Sequence, residues 1–194
     1  MKETLENLHK AFIGESQARN RYDAFAKQAK KEGFEQIAFI FEETAEQERE
    51  HASQLRKMIA HVYEKMGKNQ EAVIVEAEGN AVFGNTIENL RSAINGENHE
   101  QSIMYPEFSE KAREEGLVEI ASRLLMIARA EKHHEERYNK LLGVLENNTV
   151  FSKEEDVVWV CRKCGYEHKG KNPPEKCPAC LHEKGYYQLK CEQY

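Results

Sequence analysis

The 194-residue sequence predicts a mainly α fold: a four-helix bundle over residues 1–147, a linker over 148–156 and a small metal-binding domain over 157–194. Three observations lead there. Apolar residues recur at spacings of three and four through the first 145 positions, the period of an amphipathic helix. Gly33, Gly67 and Gly116 punctuate that pattern where helices should end. Composition then changes sharply near residue 150: all five cysteines, three of the four prolines and the single tryptophan follow it.

The first stripe runs through Leu5, Leu8, Phe12, Tyr22, Ala26 and Ala29 and ends before Gly33. The second takes Phe34, Ile37, Phe41, Ala45, Leu55, Ile59 and Val62 and ends at Gly67. Ile87, Leu90, Ile94, Met104 and Phe108 mark the third, ending before Gly116. The fourth carries Leu117, Ile120, Leu124, Ile127, Tyr138, Leu141 and Leu145. Glycine followed at once by an apolar residue makes two tight helical hairpins, and a longer connection over about 68–80 joins them into a bundle.

The hairpins also form an internal repeat. Counted from Gly33 and Gly116, Tyr22 matches Tyr105, Phe25 matches Phe108, Glu48 matches Glu131 and His51 matches His134. Upstream the register slips by one residue between Gly14-Glu15 and Gly96-Glu97, and Pro106 falls just beyond the slip. A proline inside a helix removes one hydrogen bond and clashes with the carbonyl four residues back, here Ser102. The extra residue and the proline together predict a π-bulge in the third helix.

Net charge −6 and a pI near 5.8, with no basic stripe, argue against a nucleic-acid partner. The opening Met1-Lys2-Glu3-Thr4-Leu5-Glu6 is charged from the start and does not read as a signal peptide. Apolar runs such as Ile37–Phe41 are far too short to cross a bilayer. A cytoplasmic protein without membrane contact is expected, and in a reducing compartment paired C-x-x-C motifs bind metal more often than they form disulfides.

The stripes are interrupted by ionisable residues in core positions. Glu15 interrupts the first, Glu48 and His51 the second, Glu97 (with Glu100 one turn on) the third, and Glu131 and His134 the fourth. Unpaired buried carboxylates are costly. An inward Glu taken alone is more often matched by a salt bridge, and Arg19 also lies on the first stripe. Five glutamates and two histidines with few inward cations call instead for divalent metal. Residues three apart stand about 4.5 Å apart along a helix on nearly one side, so Glu-x-x-His can present a carboxylate and an imidazole to one site. A Glu from each of two helices plus Glu-x-x-His from each of the other two is the signature of ferritin-like di-metal carboxylate bundles. Glu15 and Glu97 supply the first pair; Glu48/His51 and Glu131/His134 supply the second. This donor set suits iron or manganese better than zinc, though it leaves zinc open. Glu100 exceeds the minimal set, and its one-turn relation to Glu97 favours a ligand role over an ordinary surface charge.

Cys161-Arg162-Lys163-Cys164 and Cys177-Pro178-Ala179-Cys180 can enclose one tetrahedral metal. Spacing alone favours a zinc ribbon. The flanking residues point to iron: Cys164-Gly165-Tyr166 and Cys177-Pro178, with Trp159 upstream, resemble rubredoxin knuckles. Leu181 departs from that pattern, since free rubredoxins usually place glycine there. Cys191 fits no ligand spacing and reads as a plain thiol.

With these motifs in place, the whole chain resembles the rubrerythrin family. The resemblance rests on Gly-Glu-Ser-Gln-Ala-Arg-Asn-Arg-Tyr (14–22), Thr-Ala-Glu-Gln-Glu-Arg-Glu-His (44–51), Gly-Glu-Asn-His-Glu (96–100), Met-Tyr-Pro-Glu-Phe (104–108), Glu-Lys-His-His-Glu (131–135) and the two knuckles. It implies a ferritin-like four-helix bundle with a rubredoxin-like C-terminal domain. Glu15, Glu48, Glu97, Glu100, Glu131 and His134 are implied as ligands of two irons, with His51 exchanging with Glu100 at one of them. Cys161, Cys164, Cys177 and Cys180 are implied as ligands of a third iron. Tyr22 and Tyr105 resemble tyrosines hydrogen-bonded around the cluster, although core packing alone would also accommodate them. His133 and the other histidines carry no such role. The implied activity is a peroxidase that reduces hydrogen peroxide to water in oxidative-stress defence. Its electrons would come through the cysteine-bound iron from an external NAD(P)H-dependent reductase or rubredoxin. No dinucleotide-binding fingerprint is present for direct NADH binding. Relatives form homodimers.

Three other functions fit parts of this pattern. A ferritin-like ferroxidase or a di-manganese catalase would use the carboxylate cluster, but has little need of the cysteine domain. A metal-stabilised scaffold would use the cysteine domain, but has no need of buried carboxylates.

Overall fold

The computed structural model describes residues 1–192; the last two residues of the expected cysteine domain, 193 and 194, lie outside the described residues. The first hairpin pairs α1 (Lys2–Lys31) with α2 (Glu35–Lys65). The second runs from α3 (Thr86–His99) through a π-helical turn (Glu100–Met104) into α4 (Tyr105–Glu114), and returns along α5 (Val118–Glu146). Both hairpins close as the sequence requires. Gly33 and Gly116 each adopt φ +79°, where a side chain would strain the backbone. The Phe34 N–H then reaches the Ala29 carbonyl, and the Leu117 N–H the Ala112 carbonyl, satisfying carbonyls the helix ends leave open.

The π turn ends at Met104, two residues before Pro106, where the register slip and the proline place it. It absorbs the extra residue, so Glu97 and Tyr105 both point inward on one interrupted helix.

The connection between hairpins is longer than the expected 68–80. α2 ends at Lys65 and α3 starts only at Thr86, so the strap covers 66–85. The apolar run Ala81-Val82-Phe83 continues it without regular secondary structure, with the Phe83 ring 5.9 Å from Phe25. Helix begins where Asn85 and Glu88 form a reciprocal capping box. Gln17 ties the strap to α1, donating to the Glu78 carbonyl and accepting from the Asn80 N–H.

The bundle core has two parts. One packs Leu8, Leu55, Val62, Leu117 and Leu124; the other packs Phe25, Phe41, Leu90 and Tyr138. Between them lie the buried carboxylates.

Beyond α5 a three-stranded antiparallel sheet, in the order β2 (Glu167–Gly170), β1 (Val157–Cys161), β3 (Tyr187–Leu189), carries the cysteine turns. Its small core is Trp159, Cys161, Cys177 and Tyr187. This unit rests on the α1–α2 turn: Gly185 lies so close to the Gly33 carbonyl that a Cβ would come within 2.3 Å of it. Arg162 stacks over Phe39 and Phe151 over Phe34 nearby. Among the described residues no helix is long and apolar enough to cross a membrane.

Candidate metal centres

All four long segments of the bundle deliver acidic side chains to one level. Glu15, Glu48, Glu97 and Glu131 are each at most 1% exposed, and His134 is 3% exposed. Their donor atoms form two overlapping groups. Glu15, Glu48, His51 and Glu131 make one; Glu48, Glu97, Glu131 and His134 make the other. Glu48 and Glu131 belong to both, so the two Glu-x-x-His carboxylates sit between the two positions while each histidine faces one of them.

The Nδ1 of His51 lies 2.9 Å from oxygens of both Glu48 and Glu131. The Nδ1 of His134 lies 2.9 Å from Glu131, 3.2 Å from Glu48 and 3.5 Å from Glu97. None of these atoms is satisfied by a well-directed hydrogen bond: both oxygens of Glu48 and of Glu131, Glu97 Oε2, Glu15 Oε2 and both Nδ1 atoms are buried without one. Buried polar groups are seldom left so. Atoms this close, aimed at common points rather than at one another, are the geometry of ligands around cations. The donor set fits two divalent metals of the harder kind.

The electrostatics show what the cluster does without them. Burial, together with the charge of Glu48, pushes Glu97 up to about 8. Burial and neighbouring carboxylates likewise hold Glu15 and Glu100 well above the carboxylate range. Burial alone would lower His51, but Glu131 and Glu48 outweigh it and lift the imidazole to about 10. The same contest, with Glu131 and Glu48 foremost, lifts His134 to about 12. Glu48 moves the other way: the two histidines overcome burial and bring it to about 2. The carboxylates and imidazoles thus shift one another, the imidazoles holding protons that balance part of the carboxylate charge.

Tyr22 donates its hydroxyl to Glu97 and Tyr105 donates to Glu15. Burial, reinforced by those carboxylates, raises both phenols well above their ordinary range, so they remain donors. Glu100 lies outside both donor groups. Arg19 is 42% exposed and pairs with Glu46 across the surface, so it does not compensate the cluster. His133 is exposed. The buried cation on α1 is Arg21, one residue off the apolar stripe and only 9% exposed; no sequence pattern singled it out.

In the small domain the Sγ atoms of Cys161, Cys164, Cys177 and Cys180 all lie within 4.8 Å of one another. Two of the edges measure 3.7 Å (Cys161–Cys180) and 3.6 Å (Cys164–Cys177). A tetrahedron with metal–sulfur bonds of about 2.3 Å has edges of about 3.8 Å, whereas a disulfide would need about 2.05 Å. Each knuckle ends in a left-handed residue, Gly165 at φ +78° and Leu181 at φ +63°, so leucine adopts here the conformation that glycine supplies in the first knuckle. Cys191 is exposed and stands apart from the four.

A buried di-metal carboxylate cluster in a ferritin-like bundle, joined to a four-cysteine centre, defines a class of two-site metalloprotein. Comparison with known proteins places the chain within it. Residues 6–142 match the rubrerythrin family and residues 159–188 match the rubrerythrin rubredoxin-like domain. A putative rubrerythrin of Methanocaldococcus jannaschii is 56% identical, the alignment covering 100% of this chain and 96% of that protein. A rubrerythrin of Nitratidesulfovibrio vulgaris is 45% identical over 96% and 93% of the two chains. A solved structure of nigerythrin in a mixed-valence state superposes with a TM-score of 0.61 at 35% identity, covering 96% of this chain and 86% of that one. The chain belongs to the rubrerythrin family. It has that family's carboxylate–histidine di-iron site and its rubredoxin-like four-cysteine site, as an oxidoreductase-type protein consistent with oxidative-stress defence.

Proposed function

We propose that the protein is a peroxidase that reduces hydrogen peroxide to water, drawing electrons through its four-cysteine centre from an external NAD(P)H-dependent reductase or rubredoxin. The observation that carries this reading is the presence in one chain of both ligand sets, the carboxylate–histidine cluster and the four cysteines. A ferroxidase or storage protein would use the first and has no need of the second.

In this reading two irons would be held by Glu48 and Glu131 in common, by Glu15 and His51 on one side and by Glu97 and His134 on the other, with Glu100 as the alternative to His51. Cys161, Cys164, Cys177 and Cys180 hold the third iron. When bound, the paired irons supply two electrons and Lewis acidity for O–O cleavage. The protein's part is to bury that site between two apolar half-cores and to fix its carboxylates. Tyr22 Oη and Tyr105 Oη orient Glu97 and Glu15 and keep protons at the edge of the cluster.

The assembly in this reading is a homodimer. Along α2, Glu48 lies thirteen residues from Glu35, about 20 Å at 1.5 Å per residue. The cysteine domain rests at the Gly33 end, and in this reading the cysteine centre of a second subunit serves the cluster.

The test is to load the protein with iron, reduce it without oxygen, add hydrogen peroxide and follow the iron–thiolate absorbance by stopped flow. Rapid return of the oxidised colour, abolished by Glu97→Ala, is expected. No return in fully loaded protein would overturn the reading in favour of a ferroxidase role.

A further inference from the structure

Beside the carboxylate cluster lies a cleft of about 630 Å³, lined by Glu100, by Gly14 and Gly96, and by strap residues that include Glu76, Glu78 and Val82. The six donor residues of the cluster do not line the cleft; Glu100, the proposed exchanging ligand, is the residue that joins the two. A Cβ at Gly14 would stand 3.9 Å from Glu100 Oε1, and one at Gly96 would stand 3.5 Å from the Arg21 guanidinium. Hydrogen peroxide takes the room of about two waters, on the order of 60 Å³. The cleft is far larger than that and falls in the range of small-molecule sites.

Its wall has the chemistry of such a site. Val82, Ile103, Met104 and Phe108 supply apolar surface, and Gln17 and Asn95 supply neutral polar groups. Arg21 also lines it, nine-tenths buried, with an Nε that finds no hydrogen-bond partner among the described residues. A buried guanidinium N–H without an acceptor is a costly group to retain. Glu76, Glu78, Glu100 and Glu107 outnumber Lys10 and Arg21 around the cleft, which disfavours an anionic ligand, and the apolar wall suits an uncharged one.

We propose that this cleft admits uncharged alkyl and aryl hydroperoxides, which the protein reduces to alcohols. Arg21 donates to the hydroperoxide oxygens from the cleft wall. The O–O bond breaks, two electrons come from the reduced protein and two protons from solvent: ROOH + 2e⁻ + 2H⁺ gives ROH + H₂O. The inference rests on the peroxidase reading above and extends its substrate class.

Two measurements test it on the full-length, iron-loaded protein. In the first, anaerobically reduced protein is mixed in parallel with hydrogen peroxide and with cumene hydroperoxide. Return of the iron–thiolate colour and formation of 2-phenyl-2-propanol are expected with the latter. In the second, which involves no turnover, 2-phenyl-2-propanol is titrated into the oxidised protein and followed by NMR. Saturable binding is expected, weakened by Arg21→Met.

Ser92→Trp, which fills the cleft from α3, should weaken alcohol binding and lower the cumene-to-hydrogen-peroxide rate ratio by about tenfold or more. Asn95→Trp serves if that variant does not fold. The inference is overturned if hydrogen peroxide restores the colour and cumene hydroperoxide does not, or if filling the cleft changes neither binding nor the rate ratio. If neither oxidant restores the colour, the peroxidase reading itself fails and this inference falls with it.

Discussion

Metal loading of the carboxylate cluster should expel protons, and the structure sets how many. A ligand atom must be free of its proton before a metal can take it. Without metal, Glu97 sits at about 8, His51 at about 10 and His134 at about 12, so at pH 7 all three hold protons. Loading two metals therefore releases about three protons per chain from these groups, and more if Glu15 and Glu100, both raised, contribute. The overall binding constant should then rise about a thousandfold per pH unit near neutrality, one factor of ten for each proton released. The assay is calorimetric. The four-cysteine site, the softer of the two, is first filled with one equivalent of zinc. Manganese(II), a hard cation, is then titrated into the protein in buffers of different ionisation enthalpy. The slope of observed heat against buffer enthalpy counts the protons. A slope below about one proton would refute the reasoning, because the metal-free cluster would then hold its carboxylates ionised and its imidazoles neutral.

The same groups set the stability of the metal-free protein. Glu97, His51 and His134 all have folded-state values above their unfolded ones. Their contribution is present at low pH and is lost as pH rises through those values, so thermal melts from pH 6 to 9 should show a falling Tm that metal loading abolishes. Leu181→Gly should stabilise the cysteine domain by up to about 1 kcal/mol, measured as resistance to chelator-driven unfolding, because an exposed leucine there occupies a left-handed backbone. A loss of stability instead would mean that the leucine side chain contributes contacts outweighing the strain. Gly185→Ala should dislodge the cysteine domain from the α1–α2 turn, since its Cβ would meet the Gly33 carbonyl at 2.3 Å. Faster proteolysis at residues 147–156 with unchanged iron–thiolate absorbance would register this, and unaltered cleavage would show that the contact is dispensable.

How much of this was legible in the sequence depends on whether the signal was local. Helix faces are local, so the stripes located both hairpins, and the interruptions at Glu15, Glu48, His51, Glu97, Glu131 and His134 picked out residues that meet in space. The π turn was legible because it leaves a one-residue mismatch between two halves of a repeat, and a proline marks the same place. Arg21 was not legible. It stands one position off the apolar face, and it shares a cleft with a strap that arrives from some sixty residues away, which no period within α1 records. Arg19 misled for the complementary reason: a 3.6-residue period leaves position 19 nearly as plausible as 18 or 22, and only packing decides that Ala18 and Tyr22 face in. The strap itself was read two residues short at its start and five at its end, because spacing of apolar residues does not fix a helix start, which here is decided by the capping box at Asn85 and Glu88.

That contrast bears on what the bundle is built for. The groups legible from spacing are those duplicated between hairpins, and they make the cluster. The parts that are not duplicated, the strap, Arg21 and the π turn with its Glu100, all lie on one side of it and line one cleft. A scaffold needing only to hold two metals could remain symmetric, with an ordinary helix in place of the π turn. Departing from that symmetry on a single side costs helix hydrogen bonds and leaves a buried guanidinium N–H unpaired. Such a cost is consistent with a side through which something reaches the metals, and the opposite result for the cleft-filling variants would leave it without a physical explanation.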